Sequence, residues 1–153
     1  MCNLNTILSC GGAVASIIAA VLSIYKEFQI RTQLRIKKYE DEWKKILKDL
    51  DNLADLCSDY WLIAGRSKEE KGIQESSITY KCKNLSTNLT IINRKYKDFI
   101  KGDMVEIINL FNAVKSEATG GDFQTTAAKI DKERVQRVHD KVISLKEIIN
   151  LEI

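Results

Sequence analysis

The sequence predicts an all-α protein in two parts, an N-terminal transmembrane helix (residues 1–25, with a short tail) and a helical bundle (residues 26–153). Three observations carry this expectation. First, the 153-residue chain has no proline and only seven glycines. Long helices therefore run without the residue that breaks their interiors, and the Gly/Pro turns that punctuate all-β folds are missing. Second, residues 1–25 carry no charged side chain, so the chain's 24 Lys and Arg and 21 Asp and Glu all follow. Third, apolar residues beyond Lys26 recur at steps of three and four, the period of a helix with one buried face. This length suits one domain rather than a large multidomain enzyme, and 44% hydrophobic residues argue against disorder. A net charge of +3 is too mild to be a nucleic-acid footprint by itself.

The first element is the uncharged stretch Ile7 to Tyr25, 19 residues long. As a helix it measures roughly 28 Å, about the hydrocarbon thickness of a bilayer. Residues 1–6 contain no Lys or Arg, which speaks against a cleaved signal peptide. Lys26, Arg31, Arg35, Lys37, Lys38, Lys44 and Lys45 follow the stretch. The positive-inside rule then places the C-terminal domain in the cytoplasm and the N-terminus outside. Asn5, Ser9, Gly12, Ser16, Ala19 and Ser23 form one stripe of small or polar residues at helical spacing. Such a stripe lets membrane helices approach closely. It fits either a dimerisation seam or a ring of helices whose stripe Asn5, Ser9, Gly12, Ser16 lines a pore.

Four amphipathic helices follow. In the first, Ile36, Tyr39, Trp43, Ile46, Leu50, Leu53, Cys57 and Tyr60 form a near-heptad stripe, and Gly65 closes it. Residues 66–72 read as a polar connection. A second helix is expected over residues 75–100, on the stripe Ile78, Cys82, Leu85, Leu89, Ile92, Tyr96 and Phe99. A third runs from Asp103, an N-cap type, to about Ser116. Thr119 to Asp122 form a loop, and a fourth helix spans about 126–150 on Val135, Val138, Val142, Leu145 and Ile149. Short loops between such helices predict an up-and-down bundle.

Chemistry-bearing motifs are few. Cys2, Cys10, Cys57 and Cys82 show no C-x-x-C pairing, so no zinc or other metal is expected. The sequence contains no phosphate-binding G-x-x-x-x-G-K-[ST] loop and no G-x-S-x-G elbow, and no cofactor is expected. What remains is the only histidine, His139, with Arg134 five residues before it, an R-x4-H arrangement on the last helix. Arginine holds phosphate through a planar fork of donors, and histidine moves protons near neutral pH. Such a pair can cleave RNA without metal: the 2′-hydroxyl attacks its own phosphate, Arg134 holds the charge and His139 shuttles the proton.

R-x4–6-H on the closing helix of a small four-helix bundle resembles the signature of HEPN domains, many of which are ribonucleases of toxin and CRISPR systems. With a membrane helix in front, the chain looks like the small membrane accessory proteins of type VI-B CRISPR systems. The resemblance covers the whole chain in layout and Arg134 and His139 in motif. It implies antiviral defence at the bacterial inner membrane, through a homo-oligomeric pore that dissipates the membrane potential. It also implies an RNA-guided, RNA-cleaving effector as partner. The alternative is a membrane-tethered, metal-independent HEPN ribonuclease acting on RNA. Active nucleases of that family commonly carry a polar residue after the motif arginine, where this chain has Val135. The departure favours Arg134 and His139 as organisers of a subunit interface.

Overall fold

A computed structural model describes residues 4–62, 67–121, 123–124 and 130–152, with side chains from residue 15 on. It contains four α-helices, α1 (Leu4–Leu62), α2 (Lys68–Lys95), α3 (Met104–Thr119) and α4 (Lys132–Asn150), and no strand among the described residues. The chain forms two compact units, Met1–Lys38 and Tyr39–Ile153.

In the first unit, the α1 residues from 15 to 38 bury no side chain. Ile17, Leu22, Ile24 and Phe28 are all more than 60% exposed. Their surroundings are local: Arg31 pairs with Glu27 one turn back, and the Thr32 hydroxyl donates to the Phe28 carbonyl.

The second unit is a bundle, and its core follows the spacing of the sequence. Tyr39, Trp43, Ile46, Leu50, Leu53, Cys57 and Tyr60 of α1 are buried, as are the predicted stripe of α4 and that of the second helix as far as Tyr96. Phe99, its last predicted member, is only partly buried and lies beyond α2, which ends at Lys95 and not at 100. From α3, Met104, Ile107, Phe111, Val114 and Ala118 complete the core. Ile36, predicted to begin the α1 stripe, is instead 39% exposed. The buried face starts one step later, at Tyr39.

Cross-links between helices set their directions. Lys81–Asp49 (3.0 Å) and Tyr60–Glu75 (2.7 Å) run α2 antiparallel to α1. Lys146–Asp51 (2.6 Å) and His139–Ser58 (2.9 Å) do the same for α4 and α1. Arg137–Glu117 (3.1 Å) sets α4 against α3. The bundle is therefore up-down-up-down, with α3 packed on both α2 and α4.

Caps explain where the helices begin. Ser67 accepts from the Glu70 amide and the Glu70 carboxylate accepts from the Ser67 amide, a reciprocal capping box. Lys68 to Gly72 are consequently helical, not the connection that their polar composition suggests. Gly72, in open space, costs about 1 kcal/mol relative to alanine, comparable to what such a cap contributes. Asp103 caps α3 as expected, accepting from the Val105 amide at 2.8 Å. Asp131 caps α4 through the Arg134 amide at 2.8 Å. The earlier start predicted for α4 falls on residues 126–131, of which 126–129 lie outside the described residues.

At the end of the bundle where α4 finishes, Glu152 is a buried carboxylate, 2% exposed. It accepts from the Tyr39 hydroxyl (3.1 Å) and the Lys101 amide (2.9 Å). A β-carbon on Gly102 would sit 2.2 Å from its Oε1, so glycine makes the space this carboxylate occupies. Burial, reinforced by the neighbouring Glu152 charge, pushes the Tyr39 hydroxyl up to about 12.

Candidate functional site

Arg134 and His139 both sit on α4 where it faces the end of α1. They are five positions apart, so they lie about 140° apart around the helix and meet different partners. Those partners, Trp61 and Ser58, are three residues apart on α1. The two motif residues are thus brought to one end of the same neighbouring helix.

Arg134 is held from several sides, with its side chain 15% exposed. The guanidinium lies over the Trp61 ring at 4.3 Å, within cation–π range. Its Nη1 donates to the Gly120 carbonyl. Its Nε is 3.4 Å from the Asp131 carboxylate, an ionic contact without hydrogen-bond alignment. Gly121 makes this possible in two ways. Its φ of +59° is a left-handed conformation that favours glycine, and a β-carbon there would lie 2.5 Å from Arg134 Nη2. Arg134 therefore pins the loop after α3 to the ends of α1 and α4. A phosphate at this guanidinium would compete with a main-chain carbonyl and an indole face.

His139 is half-buried, with Nε2 2.9 Å from the Ser58 hydroxyl oxygen. That hydroxyl donates its one proton to the Ala54 carbonyl at 2.9 Å, so it accepts from His139 Nε2–H. The ring orientation is fixed by α1, not by a second catalytic group.

An aromatic cluster adjoins Arg134 through Trp61. Tyr60 packs edge-on to Trp61 (4.8 Å between centroids) and lies 5.2 Å from Phe123. The Tyr60 hydroxyl donates to Glu75 and accepts from the Gln124 amide at 3.4 Å. Burial, with the bond to Glu75, pushes the Tyr60 hydroxyl up to about 12. Cys57 and Cys82 are free thiols in the core. Burial raises them to about 12 and about 11, so neither is a reactive thiolate at neutral pH. No group of three or more metal-ligating side chains occurs among the described residues.

The proposed pore-lining residues divide differently. Asn5, Ser9 and Gly12 lie outside the residues whose side chains are described, while Ser16 is described and exposed. Among the described residues no helix is long and apolar enough to cross a membrane. Of the predicted span, residues 7–14 fall outside the described side chains.

Sequence reasoning singled out Arg134 and His139 but missed what holds them. Asp131 three residues before Arg134 is an N-cap spacing that was legible. Ser58 and the carbonyl of Gly120 carry no signal of their own. No family model, curated protein or solved structure matches the chain.

Proposed function

We propose that this is a membrane-anchored helical bundle that assembles into a homo-oligomeric pore. The N-terminal helix spans the bacterial inner membrane with the N-terminus outside, and the HEPN-like bundle lies in the cytoplasm. One observation carries this reading. Ile17, Ile18, Val21, Leu22 and Ile24 form one broad apolar face of α1, about 160° wide, and are each 53–68% exposed. An apolar face this broad needs lipid or protein against it, and no side chain described in this unit covers it. Acyl chains and neighbouring copies of the same helix supply the missing cover. The charges that begin at Lys26 mark where the helix leaves the hydrocarbon. The small-residue stripe through Ser16 gives the copies a close seam, and its hydroxyls give the ring a polar inner face. Dissipation of the membrane potential during antiviral defence, with enhancement of an RNA-guided, RNA-cleaving effector, is the activity such a pore supports.

The engagement of Arg134 with Gly120 and Trp61 favours a structural role for the R-x4-H pair over the ribonuclease alternative. The test reconstitutes the full chain into vesicles loaded with a self-quenching dye and follows release together with cross-linked species. Wild type is expected to release dye and to cross-link beyond a dimer. Ser16→Leu is expected to insert but release little. Release unaffected by Ser16→Leu, or no release at all, removes the pore. RNA cleavage that disappears in an Arg134→Ala, His139→Ala double variant would instead establish the enzyme.

A further inference from the structure

We propose that the outer face of α2 is a self-complementary docking surface, on which a second copy of this chain pairs antiparallel about a two-fold axis at Ser76. The surface belongs to the bundle, and the pairing does not depend on the pore.

The face carries large apolar side chains that the fold leaves uncovered. Ile73 and Tyr80 are 63% and 65% exposed and lie two turns apart on one side of the helix. A groove of about 510 Å³ runs between them, lined also by Glu69, Gly72, Ser76 and Ser77. Its polarity is muted, because the Ser77 hydroxyl donates to the Ile73 carbonyl of its own helix at 2.9 Å. Helix α4, with Arg134 and His139, packs on α3 and α1, and none of its residues lines this groove. Pairing here therefore does not join the two R-x4-H motifs.

Gly72 is the informative residue. A glycine inside a helix is a loss relative to alanine, and no other part of the described fold comes within 4 Å of where its β-carbon would stand. The missing side chain serves no contact within the chain. It does serve a close approach from outside.

The order of residues supplies that neighbour. A two-fold axis at Ser76 sets each residue against the one equally far along the helix in the other direction. Glu69 then faces Lys83, Gly72 faces Tyr80, Ile73 faces Thr79 and Ser76 faces itself. Each match is chemical. Glu69 and Lys83 are both exposed, and neither takes part in the ion pairs of the described residues. The Tyr80 ring lies over the glycine that leaves room for it, and Ile73 meets the methyl group of a threonine. Serine against serine lets the two axes approach to about 8 Å, the short end of helix packing distances. A parallel pairing would instead set Glu69 on Glu69 and Lys83 on Lys83, and like charges oppose it. One helix face per copy is a small interface, below roughly 1,200 Å², so the dimer is weak and forms as copies are concentrated.

The test uses the full chain in detergent with Cys2→Ser and Cys10→Ser, which leaves the two buried core thiols. One cysteine is added at an exposed position of α2 and oxidised with copper phenanthroline. Ser76→Cys lies on the axis, where its two copies come within disulfide reach. Thr90→Cys lies further along the same helix, and its two copies are about 40 Å apart. Ser76→Cys is expected to give a covalent dimer and Thr90→Cys none. Copies gathered by the N-terminal helix alone would raise both alike, so the contrast reads the α2 face. With Ser76→Cys, Glu69→Lys and Lys83→Glu should each cut the yield about fivefold or more, and the two together should restore it. Gly72→Leu should cut it too, by filling the seat of Tyr80, while the open space at Gly72 lets the chain fold. Circular dichroism melts check each variant, and Glu69→Gln and Lys83→Gln replace any charge reversal that does not fold. Equal cross-linking at positions 76 and 90 overturns the proposal. So does a yield that neither charge reversal lowers, or that the double reversal fails to restore.

Discussion

Residues 17–36 and 39–60 belong to one continuous helix, both are rich in large apolar side chains, and they treat those side chains in opposite ways. In the later segment Trp43, Leu50, Leu53 and Cys57 are fully buried, whereas in the earlier one Ile17, Ile24 and Phe28 are more than 60% exposed. Neither the amount of apolar surface nor its confinement to one face distinguishes them; what differs is the cover it receives. Between Tyr39 and Tyr60 the apolar residues keep to one face, and the bundle core covers that face. Between residues 17 and 25 the large apolar residues also keep to one side, but no side chain described in that unit covers them. The later face is covered by folding within the chain, while the earlier one needs lipid or further copies.

The sharpest way to break this contrast is to truncate one large side chain in each segment. Trp43→Ala removes the largest fully buried side chain and should cost about 3–5 kcal/mol of bundle stability. Leu22→Ala, on an exposed position, should change it by less than about 0.5 kcal/mol. Denaturant unfolding of the detergent-solubilised chain, followed by tryptophan fluorescence, measures both. Equal costs would mean that the first segment is packed in a way the fold does not contain.

A smaller effect comes from the bundle's buried tyrosines. Tyr39 and Tyr60 hold their protons to about 12 in the folded chain, while an unfolded tyrosine releases near 10. Between these values the folded chain binds more protons than the unfolded one, so stability falls as pH rises. The contribution is complete below pH 10 and lost by about 12, at about 2 kcal/mol or less per tyrosine. Tyr39→Phe and Tyr60→Phe should each flatten that alkaline loss. An unchanged slope between pH 10 and 12 in the double variant would show that these phenols are not the groups responsible.

A smaller effect than that of the tyrosines is expected at the motif. Arg134→Lys keeps the charge but loses the planar fork at Gly120 and most of the stacking on Trp61, a cost of about 1 kcal/mol. A melting shift of a few degrees with membrane insertion intact would separate this structural role from the properties of the N-terminal helix. No shift at all would mean that Arg134 is not what secures the loop after α3.

Several features were legible because they rest on local periodicity. The stripes of α1, α2 and α4 follow directly from the three-four spacing, and Asp103 announces the start of α3. The start of α2 was not read, because Arg66 to Gly72 has the composition of a loop while Ser67 and Glu70 have the spacing of a capping box, and the box prevails. Ile36 fits the stripe by spacing, yet it stays exposed while the next member, Tyr39, is buried. Glu152 gave no signal, since a charged residue near the end of a chain is ordinarily solvated.

By itself the sequence determined the helical class, the order and phase of the helices, and the division between an uncharged segment and a charged one. These depend on properties of neighbouring residues: backbone freedom, side-chain period and charge. The tertiary structure alone decided that Arg134 lies on Trp61 and against Gly120, that His139 is oriented by Ser58, and that Glu152 is buried against Tyr39. Such pairings join residues far apart in the chain, and their partners become specific only when four packed helices fix which faces meet.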